Sequence, residues 1–188
     1  MGIGTAKADN PGLNTRYSED GQRPVGFERQ PRPFVLDPSG RWSLDDTPKL
    51  FSLAETGQGK PPSWIVGGDD VDKRVGDRVR ASGGGVLDAG EYNGREDGVD
   101  WDTILRNMKS NCAGSVMIEG GGAVIKDLLR KRNQKYISSV IVTVAPTYLG
   151  AGGVDVSPRR SVDAENEVNL KDVRWIPLGQ DVVMAGVI

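Results

Sequence analysis

Apolar residues along the chain fall into short runs separated by charged or glycine-rich stretches, and the spacing within each run predicts an element. Phe34-Val35-Leu36, lying between Pro33 and Asp37-Pro38, predicts a short strand entering a turn. Ser63-Trp64-Ile65-Val66 predicts a buried strand that stops where Gly67-Gly68 lets the backbone turn. Val71, Val75 and Val79 recur at every fourth position between Asp69 and Arg80 and predict a charged surface helix, which Gly76 weakens. Gly83 to Asp97 reads as a loop with a short strand at Val86-Leu87.

The pattern sharpens in the second half. Asp100 is a natural N-cap, and Trp101, Ile104, Leu105 and Met108 follow on one helical face. Ser115-Val116-Met117-Ile118 predicts a buried strand running into Glu119 and three glycines. A second helix then carries Val124, Ile125, Leu128 and Leu129 on one face, with a basic tail at Arg130-Lys131-Arg132 and Asn133 as a cap. Val140 to Val144 is the strongest strand signal, stopped by Pro146, and Val173-Arg174-Trp175 and Asp181 to Met184 are strand-like. Strands alternating with helices predict an α/β domain.

Composition narrows the chemistry. With 188 residues the chain fits one domain with one core, and its net charge of −2 gives neither a nucleic-acid footprint nor a polybasic membrane anchor. No apolar run approaches the ~18 residues of a membrane-spanning helix. The first residues, MGIGTAKADNPG, are too polar for a secretory signal. The single cysteine, Cys112, excludes an internal disulfide and suits a reducing cytoplasm. The chain contains no histidine, which removes Ser-His-Asp triads, Cys-His pairs and histidine-ligated metals. Proton transfer must use a carboxylate, lysine, tyrosine or water, and hydride transfer from a cofactor fits such a chain.

Three stretches could carry that chemistry. Glu119 ends a predicted strand, and Gly120-Gly121-Gly122 opens a helix; side-chain-free residues and the free N–H groups of a first helical turn suit a phosphate, although a plain strand-to-helix turn has the same composition. In the run from Thr5 to Arg16, Asn10 precedes a proline and should be extended, and Pro11-Gly12 can fill the centre of a type II turn. Asp37-Pro38-Ser39-Gly40-Arg41 reads as a turn or as a loop beside a nucleotide ribose, with Arg41 or a neighbouring basic group meeting a 2′-phosphate. Trp42, Trp64, Trp101 and Trp175 are expected in core or rim packing.

These blocks, taken in order, resemble a known family. GIGTAKADNPGLNTR is similar to the VGIGTVLADDPxLxxR segment of the riboflavin-pathway reductases, and QPRPFVLDPSGR to their QPRPVVLDP strand. SVMIEGGGAVI resembles their MVEGG segment, VIVTVAPTYLGAGG their VIVTVAPxLLGGG segment, and VRWIPLGQDVVMAG the fungal form. The resemblance spans nearly the whole chain. It implies a dihydrofolate-reductase-like mixed sheet flanked by helices, and NADPH-dependent reduction of 2,5-diamino-6-ribosylamino-4(3H)-pyrimidinone 5′-phosphate to the ribitylamino product. It also implies that Thr5, Asp9 and Val86 contact NADPH, that Gly120, Gly121, Gly122, Ala123 and Val124 hold its pyrophosphate, and that Leu13, Arg16 and Glu119 contact the substrate. Glu119 and Asp9 are the candidate catalytic groups, Glu119 either orienting ribose hydroxyls or assisting imine protonation. A cytoplasmic homodimer, with no metal, nucleic acid or membrane partner, completes the implied picture.

Family members usually precede GIGT with a strand, a helix and another strand, so residues 1–188 are expected to form a reductase domain without its first strand and helix. Loop insertions are expected near 17–30, 88–99 and 150–170. Two other readings follow: a truncated, non-catalytic remnant, and a reductase of the same fold acting on another small heterocycle. Glu119 together with the Asp9–Arg16 spacing disfavours the last.

Overall fold

A computed structural model describes residues 1–17, 25–43, 48–67, 72–90, 92, 98–158 and 167–188. Gly68, Asp69, Val71, Asp97 and parts of all three expected insertions lie outside the described residues. The chain divides into two units, Met1–Gly120 and Gly121–Ile188.

The first unit is built on three parallel strands, β1 (Phe34–Leu36), β2 (Ser63–Val66) and β3 (Val86–Asp88), in that spatial order. Trp64 of β2 pairs with Val35 on one side and Val86 on the other. Parallel neighbours cannot be joined by a hairpin, and each crossover here carries a helix. Between β1 and β2 lies α2 (Lys49–Glu55), and between β2 and β3 lies α3 (Lys73–Ala81); α1 (Ile3–Asp9) precedes β1 and α4 (Trp101–Ser110) follows β3. At the far side of β1, Gly2 forms a parallel bridge to Leu36.

β2 is buried at all four positions, as a central parallel strand must be. Val75, Gly76 and Val79 are buried on α3, and Asp72 caps the helix by accepting the Arg74 N–H. In α4 the expected cap forms: the Asp100 carboxylate accepts from the N–H groups of Asp102 and Thr103, and Trp101, Ile104 and Met108 are buried. Trp42, Phe51 and Trp64 pack together, with ring centroids 4.5 Å apart for the two indoles and 5.4 Å for Trp42–Phe51. Core packing thus accounts for Trp42, Trp64 and Trp101, whereas Trp175 is exposed.

The expected strand Ser115–Ile118 does not form. Val116 and Met117 are 37% and 82% exposed, and among the described residues no ladder partner lies beside them. An apolar run becomes a strand only when a neighbour takes up its N–H and C=O groups.

The second unit opens with α5 (Gly122–Leu128), which ends before the basic tail. A 3₁₀ turn at Lys131–Tyr136 follows, and Arg130 and Arg132 both pair with the largely buried Asp127 at 3.4 Å. Three antiparallel strands complete it: β4 (Val140–Val144), β5 (Lys171–Leu178) and β6 (Asp181–Val187), ordered β4-β6-β5.

Candidate active site

Short turns close the carboxyl ends of the three parallel strands and bond to one another. After β1, the buried Asp37 carboxylate accepts the N–H groups of Arg41 and Trp42, both at 2.9 Å. Gly67, after β2, donates its N–H to Pro38 O at 3.1 Å, and a Cβ on Gly67 would lie 2.8 Å from that oxygen. After β3, Ala89 N–H reaches Val66 O at 2.7 Å. Because Gly2 runs parallel to β1, α1 starts from this same edge. In open α/β sheets, ligands bind outside the carboxyl ends of the strands.

Thr5 and Asp9 lie one turn apart on α1, so they share a face; Thr5 is half-buried and Asp9 exposed. Gly120 passes directly beside Thr5. It adopts φ +70°, and a Cβ built on it would meet Thr5 Cγ2 at 2.7 Å. The conformation and the close approach each require glycine here.

Glu119, one residue earlier, acts electrostatically on the Met1 ammonium. That ammonium donates to Phe34 O at 3.0 Å while Met1 O accepts from Leu36 N–H at 2.8 Å, continuing the parallel ladder. Burial pushes the Met1 amine below its ordinary value of 8.0, and the Glu119 charge opposes the shift. A lowered folded-state value means that the native state binds this proton less tightly than the unfolded chain. The resulting stability is complete above pH 8.0 and is lost as pH falls through the folded-state value. In a chain whose first residue is Met1, denaturant midpoints should therefore fall as pH drops from about 9 to about 6. An N-terminally acetylated chain has no such group and should lose less over the same range; equal losses would contradict the assignment.

The segment joining α1 to Arg16 departs from its expected geometry. Asn10 is left-handed (φ 42°, ψ 54°) rather than extended, because it ends α1 by donating its N–H to Ala6 O. Its Oδ1 accepts the Lys49 N–H at 2.6 Å. The type II turn is also absent, since Leu13 (φ 47°), and not Gly12, takes positive φ. Leu13 packs against the hydrophobic core, Asn14 donates to Gln58 O at 3.0 Å, and Arg16 is exposed. Among the described residues, no bond joins Arg16 or Asp9 to Glu119.

Val86 sits at the first position of β3 and packs against the core cluster. In the second unit, Gly121 (φ 71°) is the N-cap of α5, and the buried Gly122 lies where a Cβ would come within 2.8 Å of Asp155 O. Ala123 is exposed and Val124 half-buried. Of the N–H groups opening α5, that of Val124 is taken by Gly121 O at 3.1 Å, which leaves those of Gly122 and Ala123 as the candidate donors. Such donors are of the kind that meets an anionic group, whereas the space a Cβ would take on Gly122 is filled by Val154 and Asp155 of the chain itself.

These features define an α/β domain with a crossover-linked parallel sheet and glycine-bearing turns at its carboxyl edge, where this class of fold binds its ligands. Residues 1–184 match the family described as RibD C-terminal domain, and the chain belongs to it. The 2,5-diamino-6-ribosylamino-4(3H)-pyrimidinone 5′-phosphate reductase of Kluyveromyces lactis is 35% identical over 98% of this chain and 67% of its own length. The protein of that name from Candida glabrata is 36% identical over 98% of this chain and 69% of its own. The solved Saccharomyces cerevisiae riboflavin biosynthesis reductase Rib7 superposes with a TM-score of 0.77 at 31% identity, over 100% of this chain and 73% of that one. Acinetobacter baumannii RibD shares the fold, with a TM-score of 0.70 at 24% identity over 99% of this chain and 45% of that one.

Proposed function

We propose that this protein is the NADPH-dependent reductase of 2,5-diamino-6-ribosylamino-4(3H)-pyrimidinone 5′-phosphate, acting in the cytoplasm on the riboflavin pathway. The observation that carries this reading is 35% identity, over 98% of the chain, to a reductase of that name. The likeness to Rib7 over the whole chain supports it. NADPH supplies hydride to C1′ of the ring-opened ribosyl group when bound. The chain's own residues hold and orient the reactants: Thr5, Asp9, Val86 and Gly120 to Val124 contact the cofactor, and Leu13, Arg16 and Glu119 contact the substrate. With no histidine available, Glu119 and Asp9 are the candidates for proton handling at the imine.

Substrate-dependent oxidation of NADPH by the full-length protein, with a product two hydrogens heavier than the substrate, tests this reading. Turnover of the diamino substrate should exceed that of its deaminated counterpart. Absence of turnover with both would refute it.

A homodimer belongs to the same proposal. Val142 and Val144 of β4 and Trp175 of β5 lie on one face of the second sheet, in register across Met184 and Val182 of β6, and are 39%, 49% and 60% exposed. An apolar face carried across all three strands suits a second copy of the chain. Trp175→Glu should sediment as a single chain where the parent sediments as a pair; an unchanged pair would count against this interface.

A further inference from the structure

Gln30 lies in the QPRPFV block, to which the motif comparison gives no role, yet it is only 4% exposed and makes three hydrogen bonds through its side chain. Its Oε1 accepts the Thr15 N–H at 2.9 Å. Its Nε2 donates to Thr15 O and to Val25 O, each at 2.9 Å. Both amide hydrogens are therefore used, and the oxygen is engaged as well.

The identity of the partners matters more than their number. Thr15 O belongs to the planar peptide that links Thr15 to Arg16, so a bond to that oxygen fixes the plane from which Arg16 departs. The second bond to Thr15 fixes the peptide before it. Val25 stands at the other end of the 16–24 segment, so one buried amide ties together the two residues that flank it. An arginine retains considerable rotamer entropy in any case, and a fixed backbone origin removes part of the ordering that binding must otherwise impose.

We propose that Gln30 is a positioning residue: its side-chain amide holds the backbone from which Arg16 reaches the substrate phosphate. This rests on the substrate contact proposed for Arg16 above, which its guanidinium makes with the 5′-phosphate. Gln30 touches neither reactant and acts through Thr15. It sets the substrate KM and leaves the chemical step alone.

The test is a double-mutant cycle on the full-length enzyme with Gln30→Ala, Arg16→Ala and the combination. Gln30→Ala should raise KM for the phosphorylated substrate on the order of tenfold, with kcat and the KM for NADPH changed less than about twofold. In the Arg16→Ala background, Gln30→Ala should add nothing to KM, because the group it positions is gone. A merely structural role predicts an equal rise in both backgrounds, and that result overturns the proposal. So does an unchanged KM in Gln30→Ala when Arg16→Ala raises it. If Arg16→Ala itself leaves KM unchanged, the substrate assignment fails instead. Should Gln30→Ala not fold, Gln30→Glu keeps the length and the acceptor but loses both donors at neutral pH, and it carries the same comparison with the same expected outcomes.

Discussion

Arg16→Ala is expected to raise the KM for the phosphorylated pyrimidinone roughly ten- to hundredfold while leaving the KM for NADPH unchanged. A hydrogen bond to a charged group contributes about 1.5–3 kcal/mol, and each 1.4 kcal/mol is about tenfold in affinity. Arg16 is exposed, so its removal empties no core space and the fold should survive with an unaltered melting temperature. The dephosphorylated substrate provides the control. Wild type and variant should handle it alike, since the bond at issue is to the phosphate. Equal sensitivity with both substrates would mean that Arg16 acts elsewhere.

The second large effect is expected at Gly120. An alanine there must hold φ +70°, which costs a residue with a Cβ about 1–2 kcal/mol, and its Cβ would lie 2.7 Å from Thr5 Cγ2. Threonine is β-branched and confined to few rotamers on a helix, so it yields poorly. Either Thr5 or the Glu119-Gly120 backbone moves, and displacements near 1 Å at reacting groups cost on the order of a hundredfold. Gly120→Ala should lower kcat/KM by about that factor with a modest loss of stability. Thr5→Ala combined with Gly120→Ala removes the methyl that is struck and should recover stability but not full activity. Wild-type kinetics for Gly120→Ala would show that the crossing at Thr5 has no functional consequence.

The strands β1, β2 and β3 and the helices α3 and α4 were legible in the sequence because their signals are local. Each has an apolar run or period with a cap or breaker at its edge, and Asp100 caps α4 as its position predicts. The conformations of Asn10 and Leu13 were not legible. A proline after Asn10 argues for extended backbone, yet the residue is turned left-handed by a helix end and by a bond to Lys49, 39 residues away in sequence. The strand expected at Ser115–Ile118 failed for the complementary reason: its apolar pattern was present, but among the described residues a ladder partner was not. The motif match located Thr5 and Gly120 as site residues, and the structure adds that one lies against the other. Gln30 escaped notice because a buried amide is recognised by its partners, Thr15 and Val25, and no spacing rule connects them.

The most direct test of the central claim follows the hydride itself. The full-length enzyme would be given NADPH deuterated on the transferred position of its nicotinamide, together with the diamino-ribosylamino-pyrimidinone phosphate. The account predicts one deuterium at C1′ of the ribityl chain in the product. Deuterium at any other position, or cofactor oxidation that leaves the product unlabelled, would contradict it.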